Sequence, residues 1–210
     1  MISDLLNEVK GLKNDAKLLR DIGDTEGAIA VMDKAIAKVQ PAGDPPQSAA
    51  DSNRLKGELA DCWGIRGGIL RRAGKLPEAL AAYKTGLGFE SGDSYNLTNS
   101  FVLELLINPS RLQELKARIE EARDKVETQK EARKGQWWFW ADLGLLELLS
   151  GEEGRALDAY KHFSDAGARA SDYDSAMSVL EELSARFAGS NGSMGASLAR
   201  ASASIKRLKP

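Results

Sequence analysis

The chain has 210 residues, with 29 Lys and Arg against 31 Asp and Glu, giving a net charge of -2 and a pI near 5.6. That balance supplies no basic field to hold a polyanion and argues against nucleic acid as the main partner. Hydrophobic residues at 42% exclude a disordered chain, and 29 Ala and 27 Leu against 6 Val, 9 Ile and 4 Thr favour helix throughout.

The first predicted helix pair spans about residues 5–40. Leu12, Ala16 and Leu19 form an apolar stripe, the turn is Gly23-Asp24-Thr25, and Ala28, Met32 and Ala35 follow at helical spacing. Three prolines between Pro41 and Asp51 end the helix there. The second pair, about 52–91, repeats the pattern with aromatics: Trp63, Gly67 and Leu70, a turn at Gly74, then Ala79, Tyr83 and Gly86. A degenerate pair occupies about 94–134, Ser94 to Ile107 and then Leu112 to about Lys134, interrupted by Pro109. Its second helix carries one stripe, Leu112, Leu115, Ile119, Ala122 and Val126, and its end, Lys125 to Lys134, is expected to project into solvent. The next pair, about 137–169, has Trp140, Leu143 and Gly144, a turn at Ser150 to Gly154, then Ala156, Tyr160 and Phe163. A capping helix follows over about 172–187, closing a repeat domain at 1–188. The remaining 189–210 read as a flexible Gly/Ser segment, Gly189 to Gly195, and a short final helix with Leu198, Ala201, Ile205 and Leu208.

A packing requirement underlies the repetition. Antiparallel helices joined by a short turn approach closely only where small side chains sit at the crossing. Glycine inside a helix costs about 1 kcal/mol relative to alanine, so Gly67 and Gly144 at the same pattern position need such a reason. Tyr83 and Tyr160 would fill the space beside the crossings.

The spacing Trp-x3-Gly-x2-Leu followed by Ala-x3-Tyr-x2-Gly resembles the tetratricopeptide repeat from about Leu12 to Phe187, and Gly68 to Leu106 with Trp137 to Leu149 looks like a divergent bacterial type. A fainter similarity is to the helical region of signalling kinases that binds TRAF adaptors. The resemblance implies an all-α, right-handed α-solenoid of three to four antiparallel pairs plus a C-terminal cap. It also implies a non-catalytic adaptor or scaffold that holds a peptide or partner protein in a groove lined by the first helix of each pair. By position, that groove would take Lys10, Lys13, Asn14 and Lys17 from the first pair and Asp61, Arg71 and Arg72 from the second. The degenerate pair would add Tyr95, Asn99 and Val102, and the next pair Trp138. Lys13, Asn14 and Lys17 resemble part of a clamp with which some members hold a peptide's terminal carboxylate, although Lys17 stands where the clamp has Asn and the second repeat presents Gly64 and Gly68. The lysines and Arg71 lead us to expect a partner with an acidic segment, anchored on Tyr95 and Trp138. Packing of Trp138 against a neighbouring helix is the alternative.

Chemistry is sparse. Gly68 to Lys75 has five residues between its glycines where a phosphate loop has four, and Leu76 replaces the Ser or Thr that would hold magnesium. His162 has no nucleophile in a defined relation to it, so it reads as a surface or partly packed side chain. Cys62 and His162, one of each, form no zinc cluster, and the lone cysteine excludes an internal disulfide. No metal, cofactor or catalytic residue is expected, and the setting is expected to be cytoplasmic. Asp4, Glu8 and Asp15 interrupt the N-terminus, and Asp142 and Glu147 interrupt the most apolar stretch, so no membrane span is expected. Two other readings compete with the adaptor. One is a self-assembling subunit or the regulatory region of a larger signalling protein, with homo-oligomers; the other is an enzyme with a hidden pocket.

Overall fold

A computed structural model describes residues 2–40, 48–189 and 192–210. The proline-rich stretch 41–47 and the centre of the Gly/Ser segment lie outside the described residues. Every regular element among those described is helical. They divide into two compact units, Met1–Asn96 and Leu97–Pro210.

The first unit contains α1 (Ile2–Asp21), α2 (Thr25–Val39), α3 (Ala49–Arg72) and α4 (Leu76–Phe89), and α5 (Ser94–Ile107) begins in it. Helices α1 and α2 form one hairpin, α3 and α4 a second, and α2 packs on α3. Val9, Ala16, Met32, Ala35, Val39, Leu59, Cys62 and Ile69 are among the side chains that close the core. The second unit holds most of α5, a 3-10 turn at Pro109–Arg111, α6 (Leu112–Glu127), the short α7 (Lys130–Arg133), α8 (Trp137–Ser150), α9 (Glu153–Asp165), α10 (Ala170–Phe187) and α11 (Gly192–Leu208). Here α8 pairs with α9 and α10 with α11, α6 lies on α8, and α11 also touches α9.

The three sequence turns have one geometry. Gly23, Gly74 and Gly151 follow α1, α3 and α8 and are left-handed, with φ of 85°, 74° and 91°. In each turn the glycine N–H donates three residues back, to Arg20, Arg71 or Leu148. The next N–H donates five back, Asp24 to Leu19 at 2.9 Å, Lys75 to Leu70 at 3.0 Å and Glu152 to Glu147 at 2.8 Å. This doubly bonded reversal satisfies the carbonyls at the helix end, and the left-handed position favours glycine. Inside the hairpins, Gly67 faces Tyr83 and Gly144 faces Tyr160, both tyrosines fully or almost fully buried. The small-against-large crossing read from the sequence is therefore present in both units.

Two expectations are corrected. The stretch Lys125 to Lys134 folds back on the aromatics of α8: the indole N–H of Trp140 donates to the Lys134 carbonyl at 2.9 Å, and the Lys130 ammonium stands 5.5 Å from the Trp140 ring centroid. The final helix is longer than its apolar residues suggested. It starts at Gly192 and docks, with Leu198, Ala201 and Ile205 fully buried. Gly195 lets it approach, since a Cβ there would meet the Ser184 carbonyl oxygen at 3.3 Å. The salt bridge from Arg200 to Glu153 on α9, 2.7 Å, holds its outer side. Among the described residues, no helix is long and apolar enough to cross a membrane.

Candidate functional site

The outer face of α1 exposes Lys10, Asn14 and Lys17, spaced by four and three residues so that they share one side of the helix. Lys13, expected beside them, is turned inward. Its ammonium bonds Glu58 Oε1 at 2.5 Å and Asp61 Oδ2 at 2.7 Å, and its side chain is only 13% exposed. Burial opposes its charge, but the Asp61 and Glu58 carboxylates outweigh that effect and push the pKa up to about 12. The charge of Lys13 is thus taken up within the unit by two carboxylates. Lys13 is thereby withdrawn from the set that could meet a partner, whereas Asp61, 54% exposed, stays on the surface.

At the far end of α1 the surface is basic and apolar together. Leu18 is 65% and Ile22 79% exposed, the largest exposures of big hydrophobic side chains among the described residues. Arg72 is depressed from its ordinary pKa by burial and by the like charges of Arg20 and Arg71, partly offset by Asp21, which pairs with Arg20 at 2.6 Å. Tyr95 lies beside them. Its ring packs edge-on to Tyr83 at 5.8 Å, and it occupies the space left open by Gly64 and Gly68, where added Cβ atoms would each meet it at 3.1 Å. The two glycines at the clamp positions of the second repeat therefore make room for an aromatic platform. Asn96, fully buried, fixes the start of α5 by donating its amide to the Ala60 carbonyl at 2.9 Å. Sequence reasoning missed Leu18, Arg20 and Ile22. The available signal was that Leu18 and Ile22 fall off the Leu12–Ala16–Leu19 stripe.

In the second unit the expected groove residues fare differently. Val102 is fully buried and Asn99 is 8% exposed, so neither offers a contact surface. Trp138 is partly covered, with the Arg133 guanidinium 5.2 Å from its ring centroid, which favours the packing alternative. Cys62 is buried, and burial followed by the Glu58 charge pushes its thiol up to about 12, which leaves it unreactive at neutral pH.

A cleft of about 370 Å³ opens in the second unit, floored by Trp140, Leu143 and Glu147 of α8 and walled by α6 and α7 on one side and α9 on the other. The His162 imidazole stacks on Trp140 at 4.4 Å. Glu147 is 2% exposed and burial raises its pKa, despite an Arg155 guanidinium nitrogen at 2.8 Å. Sequence reasoning took Glu147 only as an interruption of an apolar run. No group of three potential metal ligands occurs among the described residues.

No protein-family model and no curated protein sequence matches the chain. Among solved structures, a thermophilic tetratricopeptide protein of Thermus thermophilus superposes with a TM-score of 0.54 at 14% identity, covering 92% of this chain and 98% of that one. The fold is tetratricopeptide-like. At that identity the likeness concerns the fold alone. Lower scores are given by a tetratricopeptide repeat protein from Parabacteroides merdae ATCC 43184, 0.41 at 18% identity over 96% of this chain and 79% of that one. MamA of Desulfovibrio magneticus RS-1 gives 0.42 at 12% identity over 95% and 94%. Lys10, Asn14 and Lys17 lie on α1 and Arg71 and Arg72 on α3, the first helices of the two hairpins, and Tyr95 lies at the start of α5, all within the first unit.

Proposed function

We propose that this protein is a non-catalytic interaction module, an adaptor or scaffold, that binds an acidic segment of a partner protein on the first-helix face of its N-terminal unit. One observation carries the reading: exposed apolar side chains, Leu18 and Ile22, sit on the same helix end as Arg20, which is in electrostatic reach of Arg72. Isolated exposed hydrophobics need no explanation, but a pair one helical turn apart beside Arg71, Arg72 and Arg20, of which Arg20 is paired with Asp21, suits a segment with both acidic and apolar residues. Lys10 and Lys17 extend the positive side of that face along α1. Tyr95 supplies an anchor that is 36% exposed and rigidly held by Tyr83 and the two glycines.

An array of immobilised peptides tests this. We expect retention on sequences in which two or three Asp or Glu flank a Leu or Ile, and loss when the acids become Asn and Gln or when the apolar residue becomes Ser. Equal retention of the neutral peptides, or of none, would overturn the acidic-segment assignment.

A further inference from the structure

The cleft over Trp140 lies in the other unit from the proposed acidic-segment face, and its chemistry is of the opposite sign. Glu127, Glu147, Asp158 and Asp165 border it against three cations, Lys130, Arg155 and Lys161. One of those cations is shared. The Arg155 Nη2 atom is 2.8 Å from Glu147 Oε1 and 2.6 Å from Glu127 Oε2, so its one positive charge is shared by two carboxylates, with Arg123 a second positive charge felt by Glu147. Asp158 is taken up by Lys161 at 2.8 Å. The second oxygen of Glu147, Oε2, is buried with no hydrogen-bond donor. A buried carboxylate oxygen in that position lacks the donor that would offset its lost hydration. Burial accordingly holds Glu147 above its ordinary pKa, the expected response of an under-compensated carboxylate.

The aromatic floor has the complementary property. Trp140 already draws a cation from its own chain, the Lys130 ammonium, 5.5 Å from its ring centroid. Lys130 is an exposed side chain on the four-residue α7, and its ammonium can swing into water at little cost. His162 stacks on Trp140 nearly parallel, at 27°, and Trp140 is 3% exposed, so a ligand reaches its ring only where Lys130 gives way. A planar cation suits such a site better than a compact one. A guanidinium stacks on an aromatic plane while its edge donates in the same plane to carboxylate oxygens, whereas an ammonium is a strongly hydrated point charge. A divalent metal fits worse, because it would need more oxygens than two carboxylates already bridged by Arg155 can offer. The volume, about 370 Å³, suits one long side chain.

We propose that this cleft binds an arginine side chain of a partner protein, its guanidinium displacing Lys130 from Trp140 and donating to Glu147 and Glu127. The site gives the protein a second recognition element with a charge preference opposite to that of the first.

Calorimetric titration of the full chain with a tri-arginine peptide amide and with its tri-citrulline counterpart tests the assignment, since citrulline keeps the shape and removes the charge. We expect the arginine peptide to bind at least tenfold more tightly than the citrulline peptide. Glu127→Gln and Glu147→Gln should each weaken it about fivefold or more, and Lys130→Ala should strengthen it two- to fivefold by removing the internal competitor. Glu26→Gln, at an exposed acid of the first unit, should leave it unchanged. Circular dichroism melts report folding, and if Glu147→Gln unfolds, Glu127→Gln and Lys130→Ala carry the decision. Absence of binding, equal binding of the citrulline peptide, or an effect of Glu26→Gln as large as that of Glu127→Gln would overturn the proposal.

Discussion

A Cβ atom on Gly67 would stand 2.8 Å from the ring of Tyr83. That distance is closer than a carbon contact tolerates, and the neighbour is the body of a fully buried aromatic ring, which has nowhere to move. The α3–α4 crossing therefore depends on the absence of a side chain, a requirement that overrides helix propensity.

Gly67→Ala should destabilise the protein even though alanine is the better helix former. The propensity gain is about 1 kcal/mol and overpacking costs typically about 1–3 kcal/mol; against a rigid buried ring we take the upper part of that range, a net loss of up to about 2 kcal/mol in urea unfolding. Gly144→Ala should cost less, because the nearest Tyr160 atom would be 3.0 Å away. A stabilised Gly67→Ala variant would show that the crossing is looser than described.

Lys13 belongs to the interior of the first unit, and Lys13→Met should be read as a stability variant. Its stem remains packed while Glu58 and Asp61 lose their shared cation; with Asp61 54% exposed, we expect a loss of about 1–2 kcal/mol, below the range for fully buried pairs. The sign with pH follows from the raised pKa: the contribution is complete below the ordinary lysine value of 10.5 and is lost as pH rises through about 12. Urea midpoints from pH 7 to about 9 should show a constant difference between the variant and the parent.

Much of this architecture was legible beforehand, and the reason is local. Gly67 and Tyr83, like Gly144 and Tyr160, meet across a hairpin about sixteen residues apart in sequence, so spacing alone implied their contact. The fate of Lys13 was not legible, because its partner Asp61 is 48 positions away and nothing in α1 marks one lysine among its neighbours as the inward one. Position in a repeat likewise placed Val102 on an open face, whereas it is fully buried in a helix whose polar residues, Asn96, Thr98 and Glu104 among them, are buried too. Glu147 was hidden for the opposite reason. A charge in an apolar run reads as the solvent side of a helix, yet this one is held inside by Arg155.

Docking of α11 should weaken in acid. Hydrogen bonds from Arg200 and Ser197 hold the Glu153 carboxyl down at about 2, against an ordinary 4.5. A depressed carboxylate stabilises the fold above its unfolded pKa, and that contribution disappears as pH falls from 4.5 to 2. Hydrogen exchange at α11 amides should accelerate over that interval relative to the core of the first unit, and Glu153→Gln should show fast exchange already at neutral pH. Equal protection of α11 in the parent and in Glu153→Gln would mean that Leu198, Ala201 and Ile205 hold the helix unaided.

The proposed partner-binding face is the basic and apolar one of the first unit. Affinity capture with the parent chain, Lys17→Glu/Arg72→Glu and Lys13→Met, read by quantitative mass spectrometry with folding checked on each, tests it directly. We predict a partner retained by the parent and by Lys13→Met and depleted at least tenfold by Lys17→Glu/Arg72→Glu. A partner retained equally by all three would place the interaction elsewhere on the molecule and contradict the assignment.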